Sequence, residues 1–391
     1  MKIAHPSVCT GCMACVAICS HNALDIVVDS NGYYQVRRIN ENCLECGLCG
    51  RICPLINTIK CDKNALLLSS PYAVWCKSEY LRSKSASGGA FAALAEACLK
   101  IGGVVYGSAI DGFNVKHIRV DSLSDLAAIL GSKYQHSDMR NTYQLIKEDL
   151  KNGRKVLFGG LSCQVAGVLR YVGDKLSENL YTIDMICGGV STMIPMLMLK
   201  ESGKYQGIVS FRDKDNGWKS RGFSYSLKMM KNDDSIDDLG TDNDVIECFN
   251  NKLLKRSSCL DCQFNGFHRI SDCTIGDFWG DNRFPEEHFK GVSVMVIHNS
   301  RIEQLVREAN LKKHPVTWKE MVTNNPCYYW SHYPYLRKSM TRKLLLNRLK
   351  TANSTSFGKL TSVISKIETY FFFKNNHNNQ QAFIDKLLRE K

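Results

Sequence analysis

The chain alternates short apolar runs with glycine-rich polar breaks, and that rhythm divides it into units. Ala23 to Val28 and Tyr33 to Ile39 are apolar or alternating stretches on either side of Asp29-Ser30-Asn31-Gly32, a hairpin signature. From Pro71 the pattern changes. Residues 72–76 and 103–110 read as apolar strands, with a helical run from Ala90 to Lys100 between them. A second unit begins at the strand Lys155-Val156-Leu157-Phe158, turns at Gly159-Gly160-Leu161-Ser162-Cys163-Gln164 and enters a helix that reaches Arg170. A third strand, Leu180 to Ile186, ends at Cys187-Gly188-Gly189-Val190-Ser191. Strand, glycine turn and helix in succession predict an α/β fold that binds ligands at its strand ends.

The cysteines change this picture most. Cys9, Cys12, Cys15 and Cys19 form one C-x2-C-x2-C-x3-C run, and Cys43, Cys46, Cys49 and Cys53 form a second. Such a run wraps a [4Fe-4S] cubane with three thiolates and sends its fourth cysteine to the other cluster. One cluster therefore takes Cys9, Cys12, Cys15 and Cys53; the other takes Cys43, Cys46, Cys49 and Cys19. Zinc sites and disulfides fit the spacing poorly, because a zinc knuckle seldom places three ligands within seven residues. Gly11 and Gly47 sit inside the first pair of each run, where a backbone folding round sulfide needs freedom in φ. Pro54 follows one run and Ser20 the other, a minor departure from the ferredoxin pattern. With the hairpin between the runs, residues 1–58 resemble a bacterial two-cluster ferredoxin, an α+β domain.

Composition bounds the remainder. The 391 residues allow two or three domains, the 44% hydrophobic content is ordinary, and no apolar run is long enough to span a bilayer. Eighteen cysteines without an export signal point to a reducing, cytoplasmic compartment. The net charge is +13. Residues 335–391 hold much of it, with basic and apolar residues interleaved in Arg337-Lys338, Arg342 to Lys350 and Tyr370-Phe371-Phe372-Phe373-Lys374. This helical basic tail suits either peripheral contact with the inner face of an anionic membrane or basic helices packed on the body with their charges in water. No nucleic-acid motif accompanies the charge.

Ser85-Ala86-Ser87-Gly88-Gly89 opens the helix at Ala90 as the Gly159–Ser162 turn opens the next, and free N–H groups at such turns suit phosphate. Ser87 is equally a plain N-cap. Further on stand Cys259-Leu260-Asp261-Cys262, whose spacing supports a metal-binding pair, and Gly276-Asp277-Phe278-Trp279-Gly280. Together with Gly131-Ser132-Lys133-Tyr134-Gln135-His136-Ser137 and Asp184-Met185-Ile186-Cys187-Gly188-Gly189, these segments resemble, over about residues 71–330, the coenzyme F420 hydrogenase/dehydrogenase beta-subunit family.

That resemblance implies an iron–sulfur flavoprotein: a ferredoxin domain (1–58), a linker (59–70), an α/β flavin-binding domain in two parts (71–150 and 151–334) and the tail (335–391). It implies a third [4Fe-4S] cluster on Cys163, Cys187, Cys259 and Cys262. Zinc on the same sulfurs, or unrelated buried thiols, are the alternatives, and Cys163 at a helix N-terminus could instead be a reactive thiolate. FAD or FMN is expected near Lys84, Ser87, Gly88 and Gly89, near Gly159, Gly160 and Ser162, and beside Lys133, Tyr134 and Gln135. Lys133 as a surface lysine and Trp279 as plain core are equally open. Electrons from an external donor, a ferredoxin or a reductase, would reach an organic or lipid-linked substrate; relatives with this fused layout look like enzymes of surface-polysaccharide assembly. A relay protein without its own substrate, and a reductase using coenzyme F420, are the competing readings. Scattered histidines and the absence of a Walker turn or a G-x-S-x-G elbow give hydrolase and kinase readings no support. No catalytic residue can be named from sequence.

Overall fold

The computed structural model describes residues 3–39, 41–59, 69–215, 217–218, 225–266, 269–279, 283–328 and 334–351. The N-terminal segment contains α1 (Ala14–Ala17), the antiparallel pair β1 (Leu24–Val28) and β2 (Tyr34–Arg38), and α2 (Leu48–Ile52). Asp29 fixes the hairpin by accepting the N–H groups of Asn31 and Tyr33 on one carboxylate oxygen. Gly11 and Gly47 adopt the left-handed conformation (φ +71° and +73°) that the cysteine runs require.

The body is one eight-stranded sheet in the order β13-β3-β12-β11-β7-β6-β4-β5. Its elements follow in the chain as β3 (Ser70–Cys76), α3 (Glu79–Lys84), α4 (Ala90–Lys100), β4 (Val104–Asp111), β5 (Asn114–Val120), α5 (Thr142–Lys151), β6 (Val156–Gly160), α6 (Ser162–Val172), β7 (Leu180–Met185), α7 (Ile194–Glu201), then β8 (Tyr205–Arg212), β9 (Tyr225–Lys231) and β10 (Ile236–Asp238). After these come α8 (Asp244–Asn250), β11 (Cys273–Asp277), β12 (Ser293–Ile297), α9 (Glu303–Glu308), β13 (Leu311–Pro315), α10 (Trp318–Asn324) and α11 (Met340–Thr351). Strands β4, β6, β7 and β11 run parallel and carry antiparallel strands on both flanks. Strands β8–β10 form a separate three-stranded sheet.

Period-two alternation assigns the faces. Val105, Leu157 and Ile183 point to α4, while Val104, Tyr106, Val156, Phe158 and Leu180 point to α5 and α6. Met13, Ala14, Leu24 and Val36 of the ferredoxin segment join that second cluster. Residues 1–58 therefore share a core with the body, and the expected division at 150/151 cuts through one sheet. The parallel strands β6 and β7 end at one edge of that sheet, where Cys163 and Cys187 follow.

Where it is described, the tail follows the second of its two expectations, packing on the body. Leu345, Leu346 and Leu349 of α11 are buried against Cys248, Leu253 and Leu254, so this helix turns its apolar face to the protein. Tyr370 to Lys374 lie outside the described residues. Among the described residues no helix is long and apolar enough to cross a membrane.

Candidate iron–sulfur centres and flavin site

Cys9, Cys12, Cys15 and Cys53 are all buried and line one apolar cavity with Ile3, Met13, Val36 and Leu55. These are the four sulfurs that the crossed ligation rule assigns to one cubane. The Gly11 N–H is 3.4 Å from the Cys9 sulfur. Burial pushes the Cys12 thiol up to about 12, the charges of Cys9 and Cys53 adding to it, so metal binding here must displace protons. The second set is closer to water: Cys46 is exposed, Cys19, Cys43 and Cys49 are half-buried, and Leu44 beside them is 70% exposed. Cys49 lies within electrostatic reach of Cys43 and Cys46, and Cys15 within reach of Cys49.

The strand ends gather a further group. The sulfurs of Cys262, Cys259 and Cys187 all raise the pKa of Cys163, after burial, as does Cys12 of the ferredoxin segment. Cys163 is the second residue of α6, Cys187 follows β7, and Cys259 and Cys262 arrive on a loop that Val190 meets through an N–H···S contact of 3.4 Å to Cys259. Gly189 (φ +104°) makes a close approach there, since a Cβ on it would stand 3.0 Å from the Cys259 Cβ. Burial, with the neighbouring Cys262, Cys259 and Cys187, holds the Cys163 thiol well above its ordinary value. Among the described residues no three His, Cys, Asp or Glu side chains are arranged for a single metal ion. Cys327, which has no sequence partner, comes within 3.6 Å of the Cβ position on Gly188.

Several residues without a motif connect these groups. Tyr143 of α5 donates to the Cys12 carbonyl and feels Cys12, Cys163 and Cys15. Gly167, one turn after Cys163 on α6, leaves room for both: a Cβ there would stand 2.5 Å from the Tyr143 hydroxyl and 3.4 Å from the Cys12 sulfur. Buried Arg256 donates to the Cys9 carbonyl at 2.7 Å and to the Tyr34 carbonyl at 2.5 Å, pinning the ferredoxin segment to the loop before Cys259. Lys255 is buried beside Cys187 and Cys259, and burial lowers its pKa to about 8 against their opposing pull.

The flavin candidates divide into two classes. Ser87 donates to the Val292 carbonyl at 2.7 Å, and a Cβ on Gly88 would stand 2.5 Å from the Ser293 nitrogen and the Val74 oxygen. Gly89 turns inward toward Cys76, and Lys84 is exposed at the end of α3. Gly159 packs on the Phe91 ring, Gly160 on Phe158, and Ser162 donates to Asp184 at 2.6 Å while accepting from Arg269 at 2.8 Å. In these two turns the small residues serve close backbone approach within the protein, and the serine hydroxyls bond to protein groups. The Lys133–Gln135 loop differs. Lys133 donates to the Leu130 carbonyl, and burial alone lowers its pKa to about 7. Around it the Gln135 Oε1, the His117 Nδ1 and both His136 ring nitrogens are buried without a hydrogen-bond partner. Orphaned polar atoms on this scale call for a bound group or water. Tyr134 stacks on Phe249 at 4.0 Å and belongs to packing. Phe278 is core, and Trp279 stacks on Trp218 at 4.7 Å.

Comparison with known proteins gives two family matches. Residues 8–55 match the 4Fe-4S dicluster domain, and residues 153–321 match the C terminus of the coenzyme F420 hydrogenase/dehydrogenase beta subunit. A chain of the F420-reducing [NiFe] hydrogenase complex from Methanosarcina barkeri aligns at 12% identity and a TM-score of 0.43, covering 72% of this chain and 90% of that one. No curated protein matches the sequence.

Proposed function

We propose that this chain, an iron–sulfur electron-transfer protein whose residues 153–321 match the C terminus of the coenzyme F420 hydrogenase/dehydrogenase beta subunit and whose residues 8–55 match a 4Fe-4S dicluster domain, is a flavin-dependent oxidoreductase with an internal relay. The observation that supports the proposal is that Cys163, Cys187, Cys259 and Cys262 come to the strand ends with the last three and Cys12 within electrostatic reach of Cys163, and with the Val190 N–H 3.4 Å from the Cys259 sulfur. When bound, cubanes supply one-electron carriage and a flavin, FAD or FMN, couples it to two-electron hydride chemistry.

The chain's own residues order the path. Cys43, Cys46, Cys49 and Cys19 hold the solvent-side group, where an external ferredoxin or reductase meets the exposed loop. Cys9, Cys12, Cys15 and Cys53 hold the buried group, and the strand-end cysteines hold the innermost. Lys133 and Gln135, with His136 and the unpartnered Nδ1 of His117, line the region proposed to receive the flavin. The acceptor is an organic small molecule or a lipid-linked intermediate of surface-polysaccharide assembly, a reading supported only by the family likeness.

The test is a Cys259→Ser/Cys262→Ser variant purified without oxygen. It should lose about four irons per chain, keep its ferredoxin-domain signal, and no longer pass electrons from a reduced ferredoxin to bound flavin. Unchanged iron would contradict the third centre; full clusters without flavin after reconstitution would leave a relay with no substrate of its own.

A further inference from the structure

We propose that the cavity between the ferredoxin hairpin and α11 is a binding site for a phosphate-bearing ligand. The cavity, of about 360 Å³, is lined on one side by Asp29 and Asn31 of the hairpin and on the other by Arg256, Arg337, Arg342 and Lys343. Its volume is in the range of small-molecule sites. Four cationic side chains thus face one carboxylate, and Asp29 already accepts two backbone N–H groups within its own turn.

Two of the cations are the core of the argument. Arg256 and Arg342 are each only 3% exposed. Arg256 donates to the carbonyls of Cys9 and Tyr34, and Arg342 to the Leu253 carbonyl and, at 3.3 Å, the Ser257 hydroxyl. These neutral oxygens satisfy N–H groups and leave the charges uncompensated; neither guanidinium has an ion pair with a carboxylate among the described residues. Burying an unpaired charge is costly, and arginine's planar fork matches phosphate oxygens. Arg337 adds a third guanidinium, held at 2.9 Å by the Ser257 carbonyl and 3.4 Å from Asp261. Lys343, also in the lining, is exposed, so the site combines an accessible cation with buried ones.

The recognised group is a phosphate or diphosphate, carried either by a soluble metabolite or by a lipid. Calorimetric titration of the cluster-loaded full chain with inorganic pyrophosphate tests it. Saturable binding is expected, weakened about tenfold or more by Lys343→Glu and tightened by Asp29→Asn, which keeps the turn acceptor and removes the charge. Lys151→Glu, on a helix that lines no part of the cavity, makes the same charge change and should leave binding as it is. Displacement of pyrophosphate by a nucleoside diphosphate places the natural ligand in solution, whereas displacement only by vesicles bearing a lipid diphosphate places it in the membrane; both support the site. Absence of saturable binding, or equal weakening by Lys343→Glu and Lys151→Glu, overturns it.

Discussion

At the scale of single residues, the contacts that join the cysteine groups come from side chains with no motif. Gly167 and Tyr143 belong to no motif; their meeting at Cys12 depends on how α5 and α6 cross, which no local spacing encodes. Gly167→Ala would push a methyl into the Tyr143 hydroxyl at 2.5 Å. It should cost about 1–3 kcal/mol of stability, read by urea titration without oxygen, and slow electron passage between the ferredoxin segment and the strand-end group. Lys255 makes an electrostatic prediction. Its cation beside Cys187 and Cys259 favours the reduced, more negative state of whatever those sulfurs hold, so Lys255→Met should move that centre's midpoint potential downward in an EPR-monitored redox titration, leaving the ferredoxin-domain potentials in place. An unchanged potential would remove Lys255 from the site's electrostatics.

At the scale of elements, the strand ends are held by a polar network at the sheet's centre. Asp184, the next-to-last residue of β7, pairs with Arg269 at 3.0 Å with both side chains fully buried, and accepts from Ser162, Ser271 and Thr274. The pair ties α6, β7 and β11 together just where Cys163 and Cys187 emerge. Asp184→Asn strands the Arg269 charge and should destabilise the protein by about 3–5 kcal/mol, with Asp184→Asn/Arg269→Met recovering part of the loss in the same denaturation assay. The sequence displayed Asp184 at a strand end and Ser162 in a glycine turn, and both elements formed nearly where the apolar pattern set them. What the pattern could not reveal was that Ser162, Gly159 and Gly160 are used by the protein itself, because a glycine needed for packing and one needed for a ligand look alike in one dimension. The cysteine runs were legible for the opposite reason: their chemistry fixes ligand spacing within a few residues of chain.

At the scale of the whole molecule, the ferredoxin segment is built into the core, with Met13 fully buried and the Met139 N–H 3.3 Å from its sulfur. Its cysteine groups therefore unfold with the body, and stability should respond to buried histidines of the body. Burial lowers His117 and His298 from 6.5 to about 4 each. Both are neutral in the folded state at a pH where the unfolded chain binds a proton, so their contribution is complete above pH 6.5 and is lost as pH falls toward 4. The urea midpoint should decline over that window, and His298→Gln should flatten part of the decline; a parallel profile in the variant would contradict the assignment. Of the two readings open for the basic tail, its described part follows the packed one, since Leu345, Leu346 and Leu349 cover Leu253 and Leu254.

The central claim is that three cysteine groups form one relay from the exposed Cys46 loop to the strand ends. Its most direct measurement is the iron and acid-labile sulfide content of the wild-type chain purified and reconstituted without oxygen. The account predicts about twelve irons and about twelve sulfides per chain, as three cubanes require. About eight of each would contradict it.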